Sequence, residues 1–162
     1  MKSWLIAFCL TSVVVSPALG RDLTATVFST GDGDTFRIEE AGQRVTVRLA
    51  CIDAPERKQA PYGTLAATRL GELLPVGSIV QLRVITRDRY GRTIAEAYHN
   101  GQLINLALVR EGFAYVHPEY VHQCDRHQYT RAEAQAKQRR AGVWSQPETM
   151  PPWQYRRERR KS

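Results

Sequence analysis

The chain has 162 residues, 43% of them hydrophobic and 24% charged, with a formal net charge of +7. That length suits one domain with a core of its own, and the composition is that of an ordinary globular protein, not of a disordered chain. The excess of Lys and Arg favours polyanionic partners such as nucleic acid or anionic lipid, without choosing between them.

The chain opens with Lys2, an apolar run from Trp4 to Val15, and a small-residue exit in which Ala18 and Gly20 take the A-x-A-like positions. This pattern predicts a secretory signal peptide over residues 1–20, cut after Gly20. The run is too short to span a bilayer comfortably, which takes about 20 apolar residues. Cys9 lies inside the run, which argues against a lipid anchor there. Cleavage leaves Cys51 and Cys124 in a protein bound for a periplasmic or extracellular compartment. Two buried thiols or one disulfide are both open to this pair, and an oxidising compartment favours the disulfide.

From 23 to 99 the pattern is mainly β. Strands are predicted over Thr24–Ser29, Thr35–Glu39, Arg44–Ala50, Ser78–Thr86 and Arg92–His99. Glu40-Ala41-Gly42 and Asp88-Arg89-Tyr90-Gly91 supply hairpin connections, and Asn100-Gly101 a further turn. Three helices are predicted. Thr64–Leu74 sets Leu65, Ala66, Leu70, Leu73 and Leu74 along one side and stops before Pro75. Asn105–Glu111 ends at Gly112, a suitable C-cap. Thr130–Ala141 carries a Glu133–Lys137 pair and stops at Gly142. Five short strands with interspersed helices predict an α+β, mainly β, domain over 21–144: a five-stranded Greek-key barrel of the OB type. Residues 145–162, rich in Pro and Arg, are expected to form a flexible basic tail.

Three segments carry chemistry. Asp32-Gly33-Asp34-Thr35 places two carboxylates on a glycine-rich turn, as a hard cation or an ordinary polar turn would use them. An EF-hand is excluded, because counting from Asp32 puts Arg37 sixth and Gln43 twelfth, where glycine and glutamate are required. Next, a strand bearing Arg48 runs into a turn bearing Asp53, Ala54, Pro55 and Glu56, which can present a carbonyl and two acids together. The third, Arg87-Asp88-Arg89-Tyr90-Gly91-Arg92, offers guanidinium forks suited to phosphate. Together they hold the parts for metal-assisted phosphodiester hydrolysis: oxygen ligands, a spare carboxylate as general base, and arginines for charge developing on phosphorus.

These segments, with Asn105-Leu106-Ala107-Leu108-Val109-Arg110-Glu111-Gly112 and Glu133-Ala134-Gln135-Ala136-Lys137 in that order and spacing, resemble the staphylococcal nuclease (thermonuclease) family from about Ala25 to Trp144. The resemblance implies an OB-fold and calcium-dependent cleavage of DNA and RNA that leaves 3′-phosphates. On it, Asp34 and Asp53 would ligate Ca2+ through carboxylates and Ala54 through its carbonyl, where family members often carry threonine. Glu56 would activate the attacking water, and Arg48 and Arg92 would clamp the phosphate. Arg89 and Tyr90 would hold the neighbouring phosphate or base. Tyr120 lies in the stretch where the family places base-stacking tyrosines.

The turn following Glu56 is shorter than in the secreted prototype, so the loop beside the base is expected to move less. His117, His122, Cys124 and His127 are zinc-type ligands, but their spacing matches no usual zinc pattern, and a polar loop is expected there. A monomer with DNA and RNA substrates is expected. The alternatives are an OB module that binds nucleic acid without cutting it, and a structural protein held to anionic envelope components by its Arg-rich tail.

Overall fold

The computed structural model describes residues 22–161, so the signal-peptide expectation lies outside the described residues. The β-chain begins with β1 (Asp22–Thr30), β2 (Thr35–Glu40) and β3 (Gln43–Leu49), an antiparallel meander in which Val27, Phe36, Ile38, Val47 and Leu49 face inward. The inward residues fall on alternate positions because successive strand side chains point to opposite faces. After the two-residue β4 (Ile52–Asp53) and helix α1 (Tyr62–Leu73), β5 (Ile79–Arg87) and β6 (Thr93–His99) form the second hairpin. β5 lies antiparallel to β1 and β6 antiparallel to β5. The ring closes where β6 runs parallel to β3, with Arg48 opposite Ile94 and Leu49 opposite Ala95.

The result is a closed five-stranded barrel of the OB type. Register shifts in β1 between Val27 and Ser29, and in β5 between Val84 and Thr86, supply the local bend that closure demands. A short β7 (Gln102–Leu103) turns back to pair antiparallel with the end of β6, and β8 (Tyr115–Val116) pairs separately with β4.

Helix α2 (Ile104–Arg110) lies against the barrel through Ile104 and Leu108, and is fastened by one side chain. Asn105 is fully buried. Its Oδ1 accepts from Ala97 N–H at 2.9 Å, and its Nδ2 donates to Ala50 O at 2.9 Å, tying the helix to β6 and to the end of β3. Helix α3 (Arg126–Gln138) packs on α2 with Tyr129, Ala132 and Ala136. The Tyr129 hydroxyl donates to the buried Glu96 at 2.7 Å, and Arg83 Nε donates to the same carboxylate at 2.8 Å.

The predicted strands match the observed ones to within a residue or two at each end. The helices need three corrections. Leu65 does not face the core but is 45% exposed. α3 starts four residues earlier than its apolar spacing suggests, because Asp125 caps it by accepting from Gln128 N–H at 3.0 Å. A fourth helix, α4 (Pro152–Arg159), stands in the stretch expected to be a flexible tail. Pro152, buried, sits at its first position, where the missing N–H costs nothing. Trp153 then packs edge-on against Tyr115 and lies 5.1 Å from the His117 ring. No helix among the described residues is long and apolar enough to cross a membrane.

Candidate active site

The barrel topology explains why residues far apart in sequence meet at one point. Thr35 is paired with Arg48 across the β2–β3 ladder, and Leu49 N–H donates to Asp34 O at 2.8 Å, so Asp34 lies beside Arg48. Past Leu49 the chain turns sharply at Cys51, which takes the left-handed φ of 68°. β4 then delivers Asp53 to the same spot. Gly33 permits the closure. A Cβ there would stand 2.5 Å from Ala66 Cβ and 2.8 Å from Ala54 Cβ, so any side chain would push α1 and the Asp53–Glu56 turn off the site.

Asp34 and Asp53 are each only 1% exposed. Arg48 joins them: Nη1 is hydrogen-bonded to Asp34 Oδ1, and Nη2 donates to Asp53 Oδ1 at 2.6 Å. Asp34 Oδ2 accepts from Ala54 N–H at 2.7 Å. Burial nevertheless pushes the Asp34 carboxyl up to about 7 against the pull of Arg48, with Asp32 and Asp53 adding to the rise. Asp32 Oδ1 is buried without a hydrogen-bond partner among the described residues.

Glu56 sits at the rim, partly exposed. Its turn is short and tied: Gln59 N–H donates to Glu56 O at 2.7 Å, and Gln59 Oε1 accepts from Glu56 N–H at 2.9 Å. Helix α1 begins directly behind it. A Cβ on Gly63 would lie 2.0 Å from Glu56 O, so this approach admits only glycine.

One functional-looking residue escaped the sequence reading. Arg156 of α4 spans the two acids, with Nη2 donating to Asp53 Oδ2 at 2.6 Å and Nη1 to Glu56 Oε1 at 2.7 Å. The signal that could have found it is Pro152-Trp153: a helix start followed by an aromatic anchor, inside a segment otherwise judged by its charge.

The remaining predicted residues line two adjoining clefts. One, of about 660 Å³, is lined by Arg48, Arg89, Tyr90, Arg92, His117, Tyr120 and Arg156 among others. The second, of about 1030 Å³, shares Arg48, Arg89, Tyr90, Arg92 and Arg156 and reaches Asp32, Glu56, Arg57 and Lys58. Arg92 is oriented by Asp88, which accepts from its Nε at 2.7 Å and also caps the hairpin through the N–H groups of Tyr90 and Arg92. Tyr90 is 69% exposed and Tyr120 46%, both open to a stacking partner. The ring of Tyr120 lies 4.5 Å from that of His117, whose imidazole burial holds below its ordinary pKa.

The position of Tyr120 is set covalently. Cys51 and Cys124 are disulfide-bonded, with Cα atoms 6.4 Å apart and a sequence separation of 73. The bond, helped by His117 N–H donating to Cys51 O at 2.9 Å, fastens the 117–124 segment to the end of β3. Cys124 is therefore not a zinc ligand, and His122 Nδ1 lies 2.8 Å from Glu119 O. No group of three or more His, Cys, Asp or Glu side chains is assembled for a metal among the described residues. Replacing both cysteines with serine is expected to cost about 2–4 kcal/mol of stability. A urea titration of the double variant that matched the wild-type midpoint would contradict this.

A family model described as staphylococcal nuclease homologue matches residues 46–146. The chain belongs to this family. The match takes in Arg48, Asp53, Ala54, Glu56, Arg89, Tyr90, Arg92 and Tyr120, while Asp34 precedes it and Arg156 follows it. The staphylococcal nuclease assignment agrees with individual relatives. A micrococcal nuclease of Shigella flexneri is 36% identical over 154 residues, covering 90% of this chain and 87% of the relative. A protein of Haemophilus influenzae, named an uncharacterized endonuclease, is 34% identical over 158 residues, 97% of this chain and 86% of its own length. Another of that name from Escherichia coli O157:H7 is 33% identical over 141 residues, 86% of this chain and 89% of its own.

Proposed function

We propose that this chain is a calcium-dependent endonuclease that hydrolyses phosphodiester bonds of DNA and RNA, leaves 3′-phosphates, and works as a monomer in the periplasm or outside the cell. The observation that carries the reading is the meeting of Asp34 and Asp53 at Arg48, and of Asp53 and Glu56 at Arg156, beside a cleft that Arg48, Glu56 and Arg156 line with further arginines. Family membership supports hydrolysis of nucleic acid. Export rests on the residues 1–20 pattern.

The donor set fits calcium. It is all oxygen, as a hard cation prefers: the Asp34 and Asp53 carboxylates and the Ala54 carbonyl, with Asp32 Oδ1, unpartnered among the described residues, nearby. Burial pushes the Asp34 carboxyl up to about 7 despite Arg48, so added positive charge at this point would favour its ionised form. When bound, calcium supplies positive charge for the phosphate oxygens and draws phosphate and water together.

The chain's own residues do the rest. Arg156 must leave Asp53 and Glu56 before either can act. Glu56 then takes the proton of the attacking water onto a carboxylate oxygen as the water oxygen bonds to phosphorus; the P–O5′ bond breaks, and the leaving 5′ oxygen takes a proton from solvent. Arg48 and Arg92 donate paired N–H bonds to phosphate oxygens, which strengthen as charge builds in the five-coordinate transition state. Tyr90 and Tyr120 offer faces for the flanking base or sugar.

The test is a nuclease assay on plain DNA with calcium and then with excess chelator. Cleavage with calcium, weak cleavage with magnesium and none with chelator are expected, because the irregular oxygen set suits the larger ion. Full activity in chelator would remove the calcium reading. Binding without cleavage under every condition would leave a non-catalytic OB module.

A further inference from the structure

The segment expected to be a mobile tail is anchored at several points. Tyr62 Oη lies 2.7 Å from Ser145 Oγ, Gln59 Nε2 donates to Met150 O at 2.9 Å, Trp153 packs on Tyr115, and Arg156 grips Asp53 and Glu56. Helix α4 is thus held across the mouth of the site, and its arginines are placed by helical geometry. Arg156, Arg159 and Arg160 stand at i, i+3 and i+4, and so share one face. All three line the larger cleft together with Arg89 and Arg92, and Arg156 and Arg160 line the smaller one as well. Arg157 and Lys161 line neither.

Arginines of α4 and of the β5–β6 hairpin therefore gather around one cleft, and such like charge costs free energy unless a polyanion lies among them. Inside the protein, Arg159 lies over the Tyr155 ring at 5.8 Å, and Arg160 Nε donates to Arg156 O at 3.2 Å. Neither forms an ion pair among the described residues.

We propose that α4 is the second wall of the nucleic-acid groove, with Arg159 and Arg160 binding backbone phosphates of the substrate strand together with Arg89 and Arg92. This rests on the nuclease reading. The ligand is the sugar–phosphate chain itself, read without regard to base.

The experiment is anisotropy titration of a fluorescein-labelled single-stranded DNA oligonucleotide, in chelator, over a salt series. It compares wild type, Arg159→Ala with Arg160→Ala, and Arg157→Ala with Lys161→Ala. Both double variants lose the same formal charge from the same C-terminal segment. The cleft-lining pair is expected to bind on the order of 10-fold more weakly at low salt and to flatten the salt slope by about 1.4, at roughly 0.7 per single-strand phosphate contact. The control pair keeps the wild-type slope. Arg159→Lys with Arg160→Lys should restore most of the slope, since a phosphate accepts a point charge. Circular dichroism checks that α4 and the fold persist.

Equal losses in both double variants would reduce the effect to net charge and overturn the proposal, as would no loss in either. Loss of α4 in the cleft-lining pair, with slope unrestored by lysine, would also overturn it. Absence of calcium-dependent cleavage alongside the expected binding pattern would sink the enzyme reading and leave the groove wall standing.

Discussion

Replacing Glu56 with Gln is expected to lower turnover on DNA by about 10²–10⁴-fold, the usual cost of losing a general base. Gln keeps the shape and the acceptor oxygen that Arg156 reaches in the resting protein, so the rim of the site should stay in place. What is lost is the affinity for a proton. KM should change little, and oligonucleotide affinity in chelator should match the wild type. The measurement is steady-state hydrolysis with calcium over a pH series. The wild-type rate should exceed that of the variant by this factor throughout the series. Unchanged turnover in a folded Glu56→Gln protein would show that another group takes the proton.

Arg48→Lys is expected to lower kcat by about 10²–10³-fold, the scale of removing one pre-positioned transition-state donor, while KM moves much less. One guanidinium presently reaches both Asp34 and Asp53, and an ammonium cannot hold that fork. Part of the loss arises before chemistry, because two buried acids would share one compact charge and Asp34 would protonate more readily. Comparing kcat and KM separates the roles. Equal falls in substrate affinity and in kcat/KM would mark Arg48 as a simple anchor. A thermal melt beside the kinetics confirms that the lowered rate belongs to folded protein.

The barrel was legible in the sequence because its strands follow strict alternation and its turns carry strong signals. Val45, Val47 and Leu49 face one way along β3 while Arg48 faces the other, which is enough to place Arg48 on the site side of the strand. The gathering of Asp34, Arg48 and Asp53 was legible only through family resemblance. Nothing local in the sequence shows that the end of β3 runs beside β6 or that Leu49 N–H meets Asp34 O; closure of the barrel does that.

Composition misled at the C-terminal end. A run of arginines reads as solvated chain when charge is all that is counted, yet Trp153 has a well to fill beside Tyr115 and His117. Arg156 has two acids within reach, 103 and 100 residues back along the chain. Long-range partners of this kind leave no periodic trace. The cysteine pair was visible as a possibility, and the turn at Cys51 decides it by bringing the 117–124 segment alongside.

The arginines that clasp the acids bear on the relation between folding and metal. In many small metalloproteins the ligands repel one another until the ion arrives, so binding energy and folding energy are one quantity. Here Arg48 and Arg156 already stand as counter-ions to Asp34, Asp53 and Glu56. The acids thus have internal counter-ions. On the calcium reading proposed above, the ion would take the place of a guanidinium where it would otherwise relieve bare repulsion, and metal uptake would exchange one counter-ion for another. The chain could then complete its fold in calcium-poor surroundings, and catalytic competence could follow the local calcium level without the barrel gaining or losing its structure.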